Sequence, residues 1–492
     1  MKLRLGISEA ISHWAKYNSE KICVSNEFFS LSFKEFNSII NYFSEEEFSK
    51  NISDRCIPLL IDNKLILLAA IIAAVRCGKF PAILNSNLKL EEVEFALNDL
   101  HSKTVFTEQK FLKQIPSGIS LFQLDNSIID KNRNFYSDKI WESPLMKSTW
   151  GILYSSGTTG NPKGINRSHF SILSELLGWC FELETRVNSH YYIARPIYYT
   201  GGLVLAMAAL LVGGKASLYD NFSPEIYFEH IKKEKTELSF LVPSQIKLLV
   251  EYLQENNIDD PPLSKMVLSM GAPFPEKLKI HAKRFLKSDI IESWGNTEGL
   301  GTITTRIDLE VRPSSIGKPF LTDDLFIVDE NFKKTQPNVV GRLAGRVDSK
   351  FSEYNNRKEL NEELIKGDLI ISEDLGMEDN EGFFYLFGRV SDVIDCSGVR
   401  IYPIVLEKII SSFDEVEEVA VIGIDNGRSK VPVGVIKLKS HAIDLENLKL
   451  RINSQLNENE KLSDLKTIAE FPKTASGKIK KHELQTLFIV NK

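Results

Sequence analysis

Cysteine is scarce and scattered in this chain. There are five, Cys23, Cys56, Cys77, Cys180 and Cys396, and no two form a CxxC pair. An odd count without paired spacing excludes the usual zinc sites and a secreted disulfide framework. A reducing, cytoplasmic compartment is the expectation. Long apolar runs are missing too. The longest, Leu65–Val75 and Gly201–Gly214, fall short of the roughly 20 residues of a membrane helix, so no membrane span is expected. The start, Met1-Lys2-Leu3-Arg4-Leu5-Gly6-Ile7-Ser8-Glu9, is interrupted by charge before a signal-peptide core can form. A basic excess is absent: 60 Lys and Arg against 66 Asp and Glu leave a net charge of −6, which argues against a nucleic-acid partner. GxGxxG, HExxH, GxSxG and GxxxxGK[ST] do not occur. That removes dinucleotide, zincin, α/β-hydrolase and Walker-type readings.

What is present is ordinary globular material, 43% hydrophobic and 26% charged over 492 residues. At roughly 150 residues per domain this suggests two to four domains, and the chain is long enough to bury its own core. Over the first 300 residues short β-rich runs alternate with helical patterns. Strands are expected at 21–25, 57–61, 82–84, 104–107, 238–242, 265–269 and 289–292. Helices are expected at 32–48, 64–76, 243–255 and 275–285. Such alternation argues for βαβ units and parallel sheets. From about 305 to 390 Gly, Pro and Asp interrupt short β patterns, which suggests a smaller β-rich unit. A block of about 100 residues then follows, the size of one small domain. It shows strands at 393–395, 416–423 and 431–439 and helices at 403–413 and 445–456. The expected fold is α/β: a large domain over 1–390, with parallel-type sheets, helices and a β-rich subdomain, followed by a small α+β lid over 391–492.

The sharpest segment is Tyr154-Ser155-Ser156-Gly157-Thr158-Thr159-Gly160-Asn161-Pro162-Lys163-Gly164. Glycines let backbone N–H groups approach an anion, the Ser and Thr hydroxyls add donors, and Lys163 adds charge. That composition suits a phosphate cradle. The alternative for such a string is a surface turn. At these residues the sequence resembles the adenylate-forming superfamily, which includes acyl-CoA synthetases, peptide-synthetase adenylation domains and firefly-type luciferases. The resemblance implies that Ser155, Ser156, Gly157, Thr158, Thr159, Gly160 and Lys163 embrace the pyrophosphate end of ATP.

Further stretches continue the resemblance in order. Trp294-Gly295-Asn296-Thr297-Glu298 is similar to the family's Tyr-Gly-x-Thr-Glu, which would set Trp294 against adenine, Thr297 at the α-phosphate and Glu298 at magnesium. A hard cation does want carboxylate oxygen, and a purine an aromatic face. Ser269-Met270-Gly271-Ala272-Pro273 resembles the adenine-side turn. Met270, where the family usually has glycine, would either enter the acyl pocket or belong to the core. Tyr354-Asn355-Asn356, Gly367 and Ser372-Glu373-Asp374-Leu375-Gly376 follow the family's Tyr-x-Asn and Thr-Gly-Asp-x-Gly, so Asp374 would accept from the ribose hydroxyls. Here Glu373 replaces a glycine. Asp379-Asn380-Glu381-Gly382 reads as a hairpin turn.

Gly388-Arg389-Val390-Ser391 resembles the interdomain junction. Arg389 would reach the ribose and phosphate, and Ser391 would stand at the hinge, where Asp or Lys is usual. Gly398 would line a pantetheine tunnel, with Arg400 and Glu407 in the same signature. Pro472-Lys473-Thr474-Ala475-Ser476-Gly477-Lys478 matches the C-terminal lysine motif, which would bring Lys478 to the substrate carboxylate and α-phosphate.

Arg195-Pro196-Ile197-Tyr198-Tyr199-Thr200-Gly201-Gly202 resembles the Pro-x-x-His-x-x-Gly stretch of acyl- and aryl-CoA synthetases, with Tyr199 at the histidine position. Tyr199, Thr200, Met270 and Gly301 are the expected acyl-pocket residues. Leu203–Leu211 is wholly apolar, so a substrate ammonium would find no counter-charge there. The acid is therefore expected to lack an α-amine and to be fatty or aromatic. The resemblance implies ATP, Mg2+ and coenzyme A as co-reactants. Three readings stay open: an acyl-CoA ligase, an adenylating enzyme that loads a separate carrier protein's phosphopantetheine, and a non-catalytic nucleotide-binding protein.

Overall fold

The structure is a computed structural model that describes residues 5–155, 162–346, 351–396, 398–427, 429–439, 443–473 and 479–489. Two large sheets organise the first 300 of these. One has seven strands, in the order Phe351–Tyr354, Lys163–Ser168, Thr149–Ser155, Phe80–Ile83, Cys56–Leu60, Thr104–Glu108, Ser120–Leu124. The other has nine: Lys318–Pro319, Gly301–Ile303, Asp289–Gly295, Met266–Met270, Leu238–Phe240, His190–Ile193, Lys215–Leu218, Ile22–Ser25, Ser30–Ser32. The centres of both sheets are parallel, as the βαβ alternation implies. Both margins of the nine-stranded sheet and the Phe351–Tyr354 margin of the seven-stranded one are antiparallel, whereas Ser120–Leu124 closes the latter in parallel.

Helices Lys64–Arg76 and Thr200–Leu211 sit in the largest core cluster, which draws Ile57 and Leu59 from one sheet and Val24, Ile193 and Leu268 from the other. A helix covered on every side needs apolar residues all round, which explains why neither helix sequence is amphipathic. Each fully buried Leu or Ile contributes about 1.5–3 kcal/mol. Asn63 begins the first of these helices by accepting from the Ile66 N–H at 3.0 Å. The expected helix 32–48 starts with a Ser32–Glu35 capping box and runs over Phe33–Tyr42. It then widens into π-helical turns over Phe43–Ser49.

The β-rich unit is a five-stranded sheet built on Leu369–Glu378, which pairs with Gly341–Arg346, Ile365–Lys366 and Phe384–Arg389. The hairpin expected at 379–382 joins the last pair. Phe351–Tyr354 leaves this unit to extend the seven-stranded sheet. The C-terminal block has its own core around Leu406, Ile410, Val421 and Ile436. Its sheet is Val416–Asp425, Lys430–Leu438 and Asp464–Thr467, accompanied by helices Pro403–Ile410, Leu445–Asn453 and Lys481–Ile489. Among the described residues no helix is long and apolar enough to cross a membrane.

Candidate active site

The Gly-rich run starts where the strand Thr149–Ser155 ends. Ser156, Gly157, Thr158, Thr159 and Gly160 lie outside the described residues, and so does Lys478. The chain returns antiparallel as Lys163–Ser168, with Ser155 paired to Lys163. Lys163 Nζ lies 3.2 Å from Glu373 Oε2. Glu373 is therefore not in a turn: it stands within the continuous strand Leu369–Glu378 and supplies a counter-charge to the lysine. The neighbouring Asp374 pairs across strands with Arg389, and their side chains are 3.5 Å apart.

Arg167, on the returning strand, is fully buried. Its guanidinium donates to the Thr297 carbonyl at 3.0 Å and to Glu175 at 2.8 Å. Gly299 has φ +99°, and a Cβ there would lie 2.9 Å from Arg167 Nη2. Glycine lets the Thr297-Glu298 turn close onto the arginine. The Glu298 carboxylate accepts from the Tyr354 phenol at 2.8 Å. Burial raises its pKa above the ordinary 4.5; the Tyr354 hydrogen bond offsets this, and Asp374 adds to it. The Tyr354 stretch is itself anchored. Asn355 and Asn356 donate to the Asp99 carbonyl at 3.0 and 2.6 Å, and the Tyr154 phenol donates to the Asp99 carboxylate at 2.7 Å.

Trp294 and Gly295 pair with Thr302 and Gly301 on the antiparallel strand. The space over Gly301 is taken by Phe320. Gly271, at φ +90°, turns the chain out of Met266–Met270 into half-buried Ala272 and exposed Pro273. Met270 is both core and lining: it belongs to the main cluster, and its methyl group would lie 2.8 Å from a Cβ on Gly201. Tyr199 precedes helix Thr200–Leu211, and Asn85 donates to its hydroxyl at a long 3.4 Å. Asn87 donates to Tyr198 at 2.9 Å. Ser391 sits in a single turn over Val390–Asp392. Gly398 has φ +87°, its N–H donates to Asp395 at 2.9 Å, and no heavy atom would contact an added Cβ. Arg400 pairs with Glu330 at 2.6 Å.

The donor set fits Mg·ATP. One Glu298 oxygen is held by Tyr354, which leaves the other to a hard cation. Lys163, Arg389 and the Thr297 hydroxyl are two cations and a donor of the kind that could hold phosphate and ribose.

Residues 11–354 match the family model described as AMP-binding enzyme, and residues 405–478 match the AMP-binding enzyme C-terminal domain. The chain belongs to the AMP-binding enzymes. Among curated relatives, 2-succinylbenzoate–CoA ligase of Bacillus cereus is 26% identical over 88% of each chain. That of Listeria monocytogenes is 25% identical over 92% of this chain and 94% of its own. Among solved structures, O-succinylbenzoate coenzyme A synthetase of Bacillus subtilis in complex with AMP superposes with a TM-score of 0.87 at 23% identity, covering 97% of this chain and 98% of that one. ATP-bound MatB of Rhodopseudomonas palustris gives 0.86 at 19% identity over 98% and 99%. The expected family and the two-part α/β fold are borne out.

Sequence reasoning missed Arg167 and Glu175. It quoted Tyr354 only as part of a motif and gave it no role. Arg167 has no local signal, since a single arginine in an alternating strand reads as solvated. Its burial follows from a contact 130 residues away.

Proposed function

We propose that this AMP-binding enzyme is an AMP-forming acid–CoA ligase for an amine-free, aromatic carboxylic acid. The acid attacks the α-phosphate of Mg·ATP to give acyl-AMP and pyrophosphate, and a thiol then displaces AMP. The observation that carries the reading is the Thr297-Glu298 turn. Arg167 and Tyr354 hold it from two sides, and Lys163, Asp374 and Arg389 complete the surround. In these roles Glu298 holds magnesium, Thr297 donates to the α-phosphate, Trp294 backs the adenine, and Asp374 with Arg389 fixes the ribose. Lys478 supplies charge to the first step. Rotation at Ser391 then presents the Gly398 face, which is open enough to pass a thin pantetheine arm.

The absence of acidic side chains from helix Thr200–Leu211 supports an amine-free acid. The 2-succinylbenzoate–CoA ligases named above, whose acid is aromatic and whose acceptor is CoA, support the aromatic class and the acceptor. We place the reaction in the cytoplasm, where ATP and CoA are supplied.

The test is pyrophosphate release from Mg·ATP over a panel of aromatic, fatty and amino acids, with thioester assayed with and without CoA. Release with aromatic acids, followed by CoA thioester, supports the reading. Release without acyl-CoA, but with loading of an added phosphopantetheinyl carrier protein, would replace CoA by the carrier. No release with any acid would leave a nucleotide-binding protein without turnover.

A further inference from the structure

Charges of alternating sign join the C-terminal block to the rest of the chain. Helix Glu276–Leu286 opens with two residues of opposite sign. Glu276 lies 3.4 Å from Lys408, on helix Pro403–Ile410 of the C-terminal block. Ser314 completes this contact, accepting from Lys408 and donating to Glu276 at 3.2 Å. Lys277 lies 3.2 Å from Asp414 and donates to the Ser412 carbonyl at 2.7 Å. Among the described residues, Arg400 with Glu330 is the third ion pair between the two parts.

Register matters more here than strength. The pairs are exposed, and one exposed pair contributes little by itself. The doublet Glu276-Lys277, negative then positive, meets Lys408 and Asp414, positive then negative. A C-terminal block displaced along the helix would bring Lys408 to Lys277, and like charges would oppose the shift. The helix is itself fixed. Its Lys279 is buried and pairs with buried Glu292, on the strand Asp289–Gly295 that leads to the Thr297-Glu298 turn. The charge doublet is thus held in register with the nucleotide site.

The position so held is unsuited to thiol transfer. That step would bring the Gly398 face to the bound acyl group, yet here Gly398, Val399 and Arg400 are exposed, and nothing lies within 4 Å of a Cβ added at Gly398.

We propose that Glu276, Lys277, Lys408 and Asp414 are positioning residues of the first half-reaction. They clasp the C-terminal block in the adenylating position, and the clasp must open before the thioester forms. This rests on the ligase reading above. Each turnover visits both positions, so a bias of about fivefold between them is enough to move the rate of either half-reaction.

The test uses Lys277→Glu, Asp414→Lys and the two together. Each single change sets like charges face to face, and the double change restores an attractive pair in reverse. Both residues stand outside the nucleotide, metal and acid sites. Exchange of ATP with pyrophosphate is followed with the fastest acid of the panel above, and single-turnover CoA thioester formation with its acyl-AMP. The single variants should lose about fivefold in kcat for exchange, with the KM for ATP nearly unchanged, and should gain in the thioester step. The double variant should return both to within about twofold of the parent. Trypsin cleavage after Arg389, beside exposed Val390, reports the clasp without turnover. The single variants should be cut about fivefold faster, and the double variant at the parental rate. Melting curves show that the variants are folded. A merely structural defect would lower both half-reactions together and would not be repaired by the second change, which would overturn the proposal. So would single variants with parental exchange and parental cleavage. If no acid supports exchange in the parent, the ligase reading fails, and the cleavage series alone confirms or refutes the clasp.

Discussion

The Tyr354 phenol donates to the Glu298 carboxylate at 2.8 Å, across a gap of 56 residues in sequence. The tyrosine belongs to an edge strand of one sheet, and the glutamate to the turn that leaves the other. This bond therefore joins the two sheets at the place where magnesium is proposed to sit. Tyr354→Phe removes one donor and keeps the ring. We expect the Mg2+ concentration for half-maximal pyrophosphate exchange to rise about tenfold, with a smaller change in the KM of the acid. Magnesium titrations at fixed ATP check this, and an unchanged Mg2+ requirement would separate Tyr354 from the metal.

Glu298 is held above its ordinary pKa of 4.5 by burial. The sign follows from linkage: the folded protein binds this proton more tightly than the unfolded chain. The stability contributed is full below about pH 4.5 and is lost as pH rises through the folded pKa. At pH 8 the ionised carboxylate is therefore a burden on the ligand-free protein. Glu298→Gln should raise the melting temperature of that form at pH 8 by about 2 °C, while adenylation falls by about 10²–10³. Lower stability at pH 8 together with full activity would contradict both roles.

Much of this architecture was legible because local pattern and fold agree. Helix Lys64–Arg76 and the strand starting at Val416 begin where turn chemistry and periodicity place them. The edge strand Phe351–Tyr354 was not legible, because its partner is Lys163–Ser168, almost 200 residues earlier. The motifs fixed which stretches meet, but not which side chains hold them. Glu373 reads in sequence only as a replacement for a glycine, and in space as the counter-ion of Lys163.

If Lys163 serves the ATP phosphates as proposed, Glu373, 3.2 Å from its Nζ, competes with them. Glu373→Gln keeps the strand and removes the charge, so Lys163 should meet the nucleotide with less opposition. The KM for Mg·ATP is expected to fall about threefold, and Lys163→Ala should raise it. An increase in KM for Glu373→Gln would show instead that the carboxylate positions the lysine for ATP.

Lys478 is expected to serve the first half-reaction alone. Lys478→Ala should reduce acyl-AMP formation by about 10²–10³, while CoA thioester formation from supplied acyl-AMP proceeds at close to the parental rate. The two half-reactions are measured separately, by pyrophosphate exchange and by single-turnover thioester formation. Equal loss of both would contradict the alternation of the small domain between two working positions.

Gly317 tests the packing that carries the site. It has φ +91°, and a Cβ there would fall 2.0 Å from the Ile303 carbonyl oxygen and 2.5 Å from the Thr304 nitrogen. Its C=O accepts from the Phe384 N–H at 2.9 Å, and the Ile316 N–H donates to the Phe384 carbonyl at 2.9 Å, where the nine-stranded sheet meets the β-rich unit. Both obstacles are backbone, so no rotamer change relieves them, and a left-handed φ adds strain. Gly317→Ala should destabilise the large domain by about 4 kcal/mol, measured as a drop in melting temperature. Because Gly301, Trp294 and the Thr297-Glu298 turn hang from the strands that this bridge secures, nucleotide binding should weaken at temperatures where the rest of the protein remains folded.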